Sequence, residues 1–174
     1  RLPGGWDGFE IAVRAVLGQQ VSVAAARTLA TRLLERFGEP ATLPNGEAFR
    51  LFPSPSTLAD ADLTRIGLTG ARAKTLNAIA RALCDRGVDF RPDQSLDNFV
   101  ASWCELPGIG AWTAHYIAMR ALGHPDAFPA ADLVLRKMLA DGGTALSARA
   151  VEALAERWRP WRAYAVMHLW RNSN

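Results

Sequence analysis

The sequence predicts an all-α protein, a compact array of short helices. Three observations predict it. Apolar residues recur at three- and four-residue spacing through most of the 174 residues, the rhythm of helices that bury one face. No segment sustains period-two alternation of β-branched residues, so essentially no sheet is expected. The periodic segments are short, unequal and separated by Gly- and Pro-containing breaks, which argues against a simple up-down bundle.

The first helix is read from Phe9, Val13, Val16 and Leu17. The second spans 22 to 37, with Val23, Ala26, Leu29, Leu33 and Phe37 on its apolar face, Ser22 as N-cap and Gly38 as stop. Residues 39 to 56 hold four of the ten prolines and read as a loop. A short helix starts at Ser56 or Thr57. Gly70 precedes a helix running to about Arg86, with Leu76, Ile79, Ala80 and Leu83 facing inward. Another short helix covers Asp97 to Glu105. Four more follow at 111 to 122, 133 to 140, 147 to 157 and 161 to 172.

Hydrophobic content of 49% and charged content of 21% fit a soluble globular chain rather than a disordered one. The length suffices for one domain with a real core or two small lobes. No uninterrupted apolar run reaches bilayer length. The opening RLPGGWDGFE carries neither an initiating Met nor an apolar signal region, so a fragment or processed piece is expected. Cys84 and Cys104 are expected buried and reduced. Two cysteines supply neither a disulfide framework nor an iron–sulfur or four-thiolate metal site. His115, His124 and His168 show no metal-ligand spacing. The net charge is +3, and 18 of the 20 basic residues are Arg. Arg suits phosphate through its two-pronged donor geometry, although a GC-rich genome produces the same bias.

The stretch LPGIGAWTA, 106 to 114, places Pro107, Gly108 and Gly110 between two helical segments. Gly108 and Gly110 permit backbone angles closed to other residues and leave no side chain over the turn. Ile109 is expected to plug the core. The N–H groups from Ala111 onward then lie bare at a helix start, an anion site suited to phosphate. The same spacing also serves a plain helix–helix turn. About twenty residues on, GHPDAFPAADLVLRKML (123 to 139) brings Asp132 to the start of a helix, where it reads as an N-cap or as a functional carboxylate. Asp126 is a rival that more simply stabilises the loop.

Together these blocks carry a resemblance. FEIAVRAVLGQQVSVAAARTLATRL (9 to 33), LPGIGAWTAHYIAMRALG (106 to 123), DAFPAADLVL (126 to 135) and RWRPWRAYAVMHLW (157 to 170) resemble the helix-hairpin-helix DNA glycosylase superfamily. They are most like the bacterial 3-methyladenine DNA glycosylase II type, in its order and over nearly the whole chain. The resemblance implies two helical lobes with a cleft between them, approximately 10–124 with the hairpin at 106–111, and 1–9 with 125–174. The family's N-terminal α/β domain has no counterpart here.

The implied activity is hydrolysis of the N-glycosidic bond of alkylated purines, of the 3-methyladenine and 7-methylguanine type, in duplex DNA after base flipping. Asp132 aligns with the essential aspartate. Pro107, Gly108, Ile109, Gly110 and Ala111 would grip phosphate. Backbone carbonyls of Cys104, Leu106 and Ile109 would hold a Na+ or K+ ion, with no other cofactor and no iron–sulfur cluster. Trp112 stands where relatives that also nick the strand carry a lysine, so a monofunctional enzyme is expected. Trp112, Tyr116 one turn on, and Trp170 would line a pocket that stacks on a cationic base, or would simply be core. Gln20 falls at the place of the wedge residue, although it is less apolar than a typical wedge; with Gln19 it equally suits a helix end. A DNA-bound, cytoplasmic bacterial monomer is implied. The alternative is a non-catalytic DNA-binding hairpin module with Asp132 only a cap.

Overall fold

The computed structural model describes residues 1–140 and 142–173. In chain order these form α1 (Gly8–Leu17), α2 (Val23–Phe37), β1 (Glu39–Thr42), β2 (Ala48–Leu51), α3 (Pro55–Ala59) and a 3-10 turn (Leu63–Ile66). They continue with α4 (Gly70–Cys84), α5 (Leu96–Cys104), α6 (Ala111–Ala121), α7 (Leu133–Met138), α8 (Ala148–Ala155), a second 3-10 turn (Glu156–Trp158) and α9 (Arg162–Arg171). The all-α expectation holds, with one local difference. The 39–56 loop contains an antiparallel ribbon in which Glu39 pairs with Leu51 and Thr42 with Ala48. Its cause is the Asn45-Gly46 turn: Gly46 takes φ +87°, and Asn45 Oδ1 accepts the Glu47 N–H at 3.0 Å. Asn-Gly is a strong hairpin signal even between short strands.

Small polar side chains start most of the helices. Ser22 Oγ accepts from Ala25 N, Thr69 from Arg72 N, Ser95 from Asn98 N and Ser147 from Ala150 N, each satisfying a donor with no partner inside its own helix. Ser54 caps α3 and Pro55 occupies its first turn, so that helix starts slightly earlier than expected. Gly38 ends α2 at φ −70°, so handedness does not explain it. Space does: a Cβ there would lie 2.4 Å from Leu34 O and 2.8 Å from Leu51 O.

The chain forms two compact units. One comprises Phe9–Asp89 with Leu106–Gly108. Its core is Val13, Val16 and Leu17 of α1, Leu33 of α2, Leu58 of α3, and Leu76 and Ile79 of α4, all essentially out of water. The apolar face of α2 is narrower than its periodicity suggests. Leu29 and Leu33 are buried, Ala26 and Phe37 half-buried, and Val23 is 71% exposed. Leu83 is also only half-buried.

The other unit comprises Arg1–Gly8, Phe90–Glu105 and the chain from Ile109 on. The expected division at 124 and 125 runs through it, because α5 packs on α6 and α6 bonds to the loop that follows it. Trp103 and Phe99 of α5 stack at 5.3 Å and 26°. Ile117 and Met119 of α6, Leu135, Val151 and Val166 complete the core, and Ile109 is buried. Among the described residues no helix is long and apolar enough to cross a membrane.

Candidate active site around Asp132

The hairpin between α5 and α6 distinguishes its two glycines. Gly108 takes φ +81°, and a Cβ there would sit 2.1 Å from Thr75 Oγ1 on α4. Both conformation and space demand glycine. Gly110 is different: at φ −101° and ψ 173° it is extended backbone, and a Cβ would meet nothing within 4 Å. The expectation that both glycines adopt special angles is therefore corrected. Gly110 supplies no side-chain cap hydrogen bond to the start of α6. Pro107, Gly108, Gly110 and Ala111 are exposed, and Leu106 is half-buried.

The end of α1 is tied to the same hairpin. Gln19 Nε2 donates to Gly108 O at 3.3 Å, and the Arg72 guanidinium donates to Gln19 O. Gln20, next in the chain, is exposed and held at φ +54°, a region that non-glycine residues rarely occupy. Ser22 caps α2.

Asp132 is the N-cap of α7, as its position in the sequence suggests, and it is also more than a cap. Its Oδ1 accepts the N–H groups of Val134 at 3.0 Å and Leu135 at 3.1 Å. The same oxygen accepts Trp170 Nε1 at 3.1 Å. Oδ2 accepts Trp112 Nε1 at 3.0 Å. Four N–H donors thus face a half-buried carboxylate, a set that suits an acceptor-only, ionised group.

The indoles belong to an aromatic cluster. Trp112 and Tyr116 stack at 5.4 Å and 14°, and Tyr116 meets Trp170 at 6.3 Å and 43°. All three are half-buried. Arg120, one turn beyond Tyr116 on α6, lies 5.7 Å from the Tyr116 ring centre, a cation–π distance. Trp112 and Arg120 each lie one turn from Tyr116 along the helix, and Tyr116 packs on Trp112.

Asp126 does not merely stabilise a turn. It is 8% exposed and takes a two-pronged bond from Arg162, Nε to Oδ1 at 2.7 Å and Nη2 to Oδ2 at 2.8 Å, with Arg159 donating to it as well. Ala163 N also donates to Pro125 O at 2.9 Å. These bonds fasten the first turn of α9 to the loop that leads to Asp132. From Arg162 the helix runs roughly 12 Å to Trp170, which fixes where that indole lies. Two histidines hold the loop through bare Nδ1 atoms: His124 accepts from Asp126 N and His115 from Phe128 N, each at 3.2 Å. Burial holds the pKa of both below the usual imidazole value, that of His115 at about 4.

Among the described residues no group of three or more His, Cys, Asp and Glu could hold a metal ion. Cys84 and Cys104 are free and exposed, correcting the expectation that both are buried.

Residues 13–163 match the family model described as HhH-GPD superfamily base excision DNA repair protein. The chain belongs to the HhH-GPD superfamily. Among HhH-GPD relatives it is 43% identical over 170 residues to the probable bifunctional transcriptional activator/DNA repair enzyme AlkA of Mycobacterium tuberculosis, covering 98% of this chain and 34% of that protein. It is 35% identical over 173 residues to DNA-3-methyladenine glycosylase 2 of Escherichia coli, covering 98% of this chain and 59% of that protein. It thus spans about a third to three-fifths of these relatives. The solved structure of the 3-methyladenine DNA glycosylase from Archaeoglobus fulgidus superposes with a TM-score of 0.77 at 28% identity, covering 94% of this chain and 57% of that one.

Within this HhH-GPD unit, sequence reasoning named Asp132 as the catalytic carboxylate and Trp112, Tyr116 and Trp170 as one pocket. It missed that two indole N–H groups converge on one carboxylate, and it gave His115, Asp126 and Arg162 no part in the site. No local pattern marks them, because their partners lie 13 to 38 residues away in the chain.

Proposed function

We propose that this chain is a monofunctional DNA glycosylase that hydrolyses the N-glycosidic bond of alkylated purines in duplex DNA. The observation that carries the reading is the Asp132 carboxylate held by Trp112 and Trp170 at 3.0 and 3.1 Å. Alkylation at N3 or N7 makes a purine cationic and a good leaving group, so little acid catalysis is needed. What the reaction needs is a fixed negative charge beside the deoxyribose as it gains oxocarbenium character. Asp132 supplies it, and the same carboxylate aligns or deprotonates the attacking water. Electron-rich indole faces favour a cationic base.

The duplex would meet the start of α6, where Gly110 offers no side-chain cap, through one strand's phosphates. Gln20, which is exposed, would fill the gap left by the flipped nucleotide. Base flipping itself costs a few kcal/mol. The carbonyl oxygens of Cys104, Leu106 and Ile109 are hard donors suited to a Na+ or K+ ion, whose charge would support phosphate binding; no other cofactor is needed. No lysine lies on α6; Lys74 is on α4 and Lys137 on α7, both exposed. The absence of a lysine from α6 supports base release without strand nicking, which needs no amine to form a Schiff base. The enzyme acts as a monomer on DNA.

The test is incubation with methylated duplex DNA and identification of the released bases, alongside Asp132→Asn. Loss of release with duplex affinity retained supports the enzyme. Unchanged release would leave the alternative, a phosphate-binding hairpin module in which Asp132 only caps α7.

A further inference from the structure

We propose that His115 is a positioning residue for Asp132, acting by accepting the buried backbone N–H of Phe128. The inference rests on the glycosylase reading above and extends it to a residue outside the aromatic pocket. His115 lies on α6 between Trp112 and Tyr116. Its Nδ1 is 3.2 Å from Phe128 N, and Phe128 is 2% exposed, so water cannot replace the imidazole as acceptor. One turn earlier on the same helix, Trp112 Nε1 donates to Asp132 Oδ2 at 3.0 Å. Helix α6 therefore grips the segment from Phe128 to Asp132 at both ends.

Between those ends the chain is tightly turned. Ala130 N donates to Phe128 O at 3.0 Å and Asp132 N to Pro129 O at 2.9 Å. A shift at Phe128 therefore passes along linked bonds to the carboxylate, and misplacing a catalytic group by a fraction of an ångström costs rate. Without an acceptor at 115 the Phe128 N–H is orphaned in the interior, and the segment moves to find another partner.

Only a neutral ring serves, because an imidazolium would set N–H against N–H. The groups around His115 are Arg162 from α9, Asp97 from α5, and Asp126 and His124 from the loop. Burial is the largest influence and disfavours the charged ring, Arg162 adds to it, and the two carboxylates oppose it. With its pKa at about 4, the ring stays an acceptor throughout the neutral range. An asparagine would place its Oδ1, bonded to Cγ like the imidazole Nδ1, near the same point; a leucine would fill the space with no acceptor.

The experiment compares the whole chain with His115→Asn and His115→Leu. The readouts are single-turnover release of 7-methylguanine, affinity for undamaged duplex, and hydrogen exchange at the Phe128 amide. For the leucine variant, release should slow at least ~30-fold while duplex affinity stays within about 2-fold. Phe128 exchange should speed at least ~10-fold in that variant. The asparagine variant should stay within about 3-fold of wild type in all three. Wild-type release and protection in the leucine variant would overturn the proposal, as would equal loss in a folded asparagine variant. Should the leucine variant fail to fold, His115→Gln, whose acceptor lies one bond further out, takes its place with the same expected losses. If the wild type releases no methylated purine, the glycosylase reading falls, and exchange at Phe128 still decides the role of His115.

Discussion

Trp170 Nε1 donates to the same Asp132 oxygen that caps α7, at 3.1 Å. A single carboxylate thus ends one helix and receives the indole of another, while its second oxygen is held by Trp112. The α7 cap fixes the carboxylate's place along the chain, and the two indoles fix the direction in which it faces.

Asp132→Asn should keep the α7 cap, because asparagine caps a helix about as well as aspartate. With its amide oxygen on the backbone donors, its NH2 would oppose the Trp112 N–H and the charge would be gone. Base release should fall roughly 10²- to 10³-fold, measured by single-turnover kinetics. A drop under tenfold would refute the electrostatic role.

Trp170→Phe and Trp112→Phe keep an aromatic ring and remove one donor each. A hydrogen bond to a charged group contributes about 1.5–3 kcal/mol, so release should slow roughly 10- to 150-fold per variant, with weaker effects on duplex affinity. Equal losses in rate and affinity would mean that stacking, rather than carboxylate orientation, is what each indole supplies.

The two hairpin glycines should respond differently. Gly108→Ala forces a left-handed residue against Thr75 and should cost about 1–3 kcal/mol or more, read as a lower melting temperature. Gly110→Ala should leave the melting temperature unchanged. It should instead weaken duplex binding, since a methyl group at that open position would crowd a phosphate approaching the start of α6. Wild-type binding should itself weaken with salt, with a slope of roughly −0.9 per phosphate contacted.

Arg162→Met should destabilise the chain by about 3–5 kcal/mol, because it leaves a buried carboxylate without its main partner. Urea denaturation measures this. Asp126→Asn with Arg162→Met should recover part of the loss. A single variant within 1 kcal/mol of wild type, on the order of an exposed ion pair, would show that the pair is not a clamp on α9.

Stability should fall on acidification through His115. Its folded pKa is lowered from 6.5 to about 4, so the unfolded chain binds the proton more readily. The contribution is complete above the unfolded value and is lost as pH falls from 6.5 to about 4. His124, lowered for the same reason, acts in the same direction. Melting temperature measured across that window should decline, and His115→Asn should flatten the decline.

Helix identity and the Ser22 cap were legible because they are local. Ser22 needs only the N–H three residues on, and the apolar rhythm of α1 needs only its own turns. Asp132 was legible as a cap for the same reason. The β ribbon was missed because prolines outweighed the Asn45-Gly46 signal in so short a segment.

The sequence by itself determined an all-helical chain, a Gly-Pro hairpin, and an aspartate at a helix start, because each depends on neighbours within a turn or two. Only the tertiary structure decided that Trp112 and Trp170 turn their N–H groups onto Asp132, that Asp126 is a buried anchor for Arg162, and that Gly110 needs no special backbone angle. The first two outcomes depend on which groups distant in the chain are excluded together from water. There an unpaired donor or charge is costly, and that cost selects the partner.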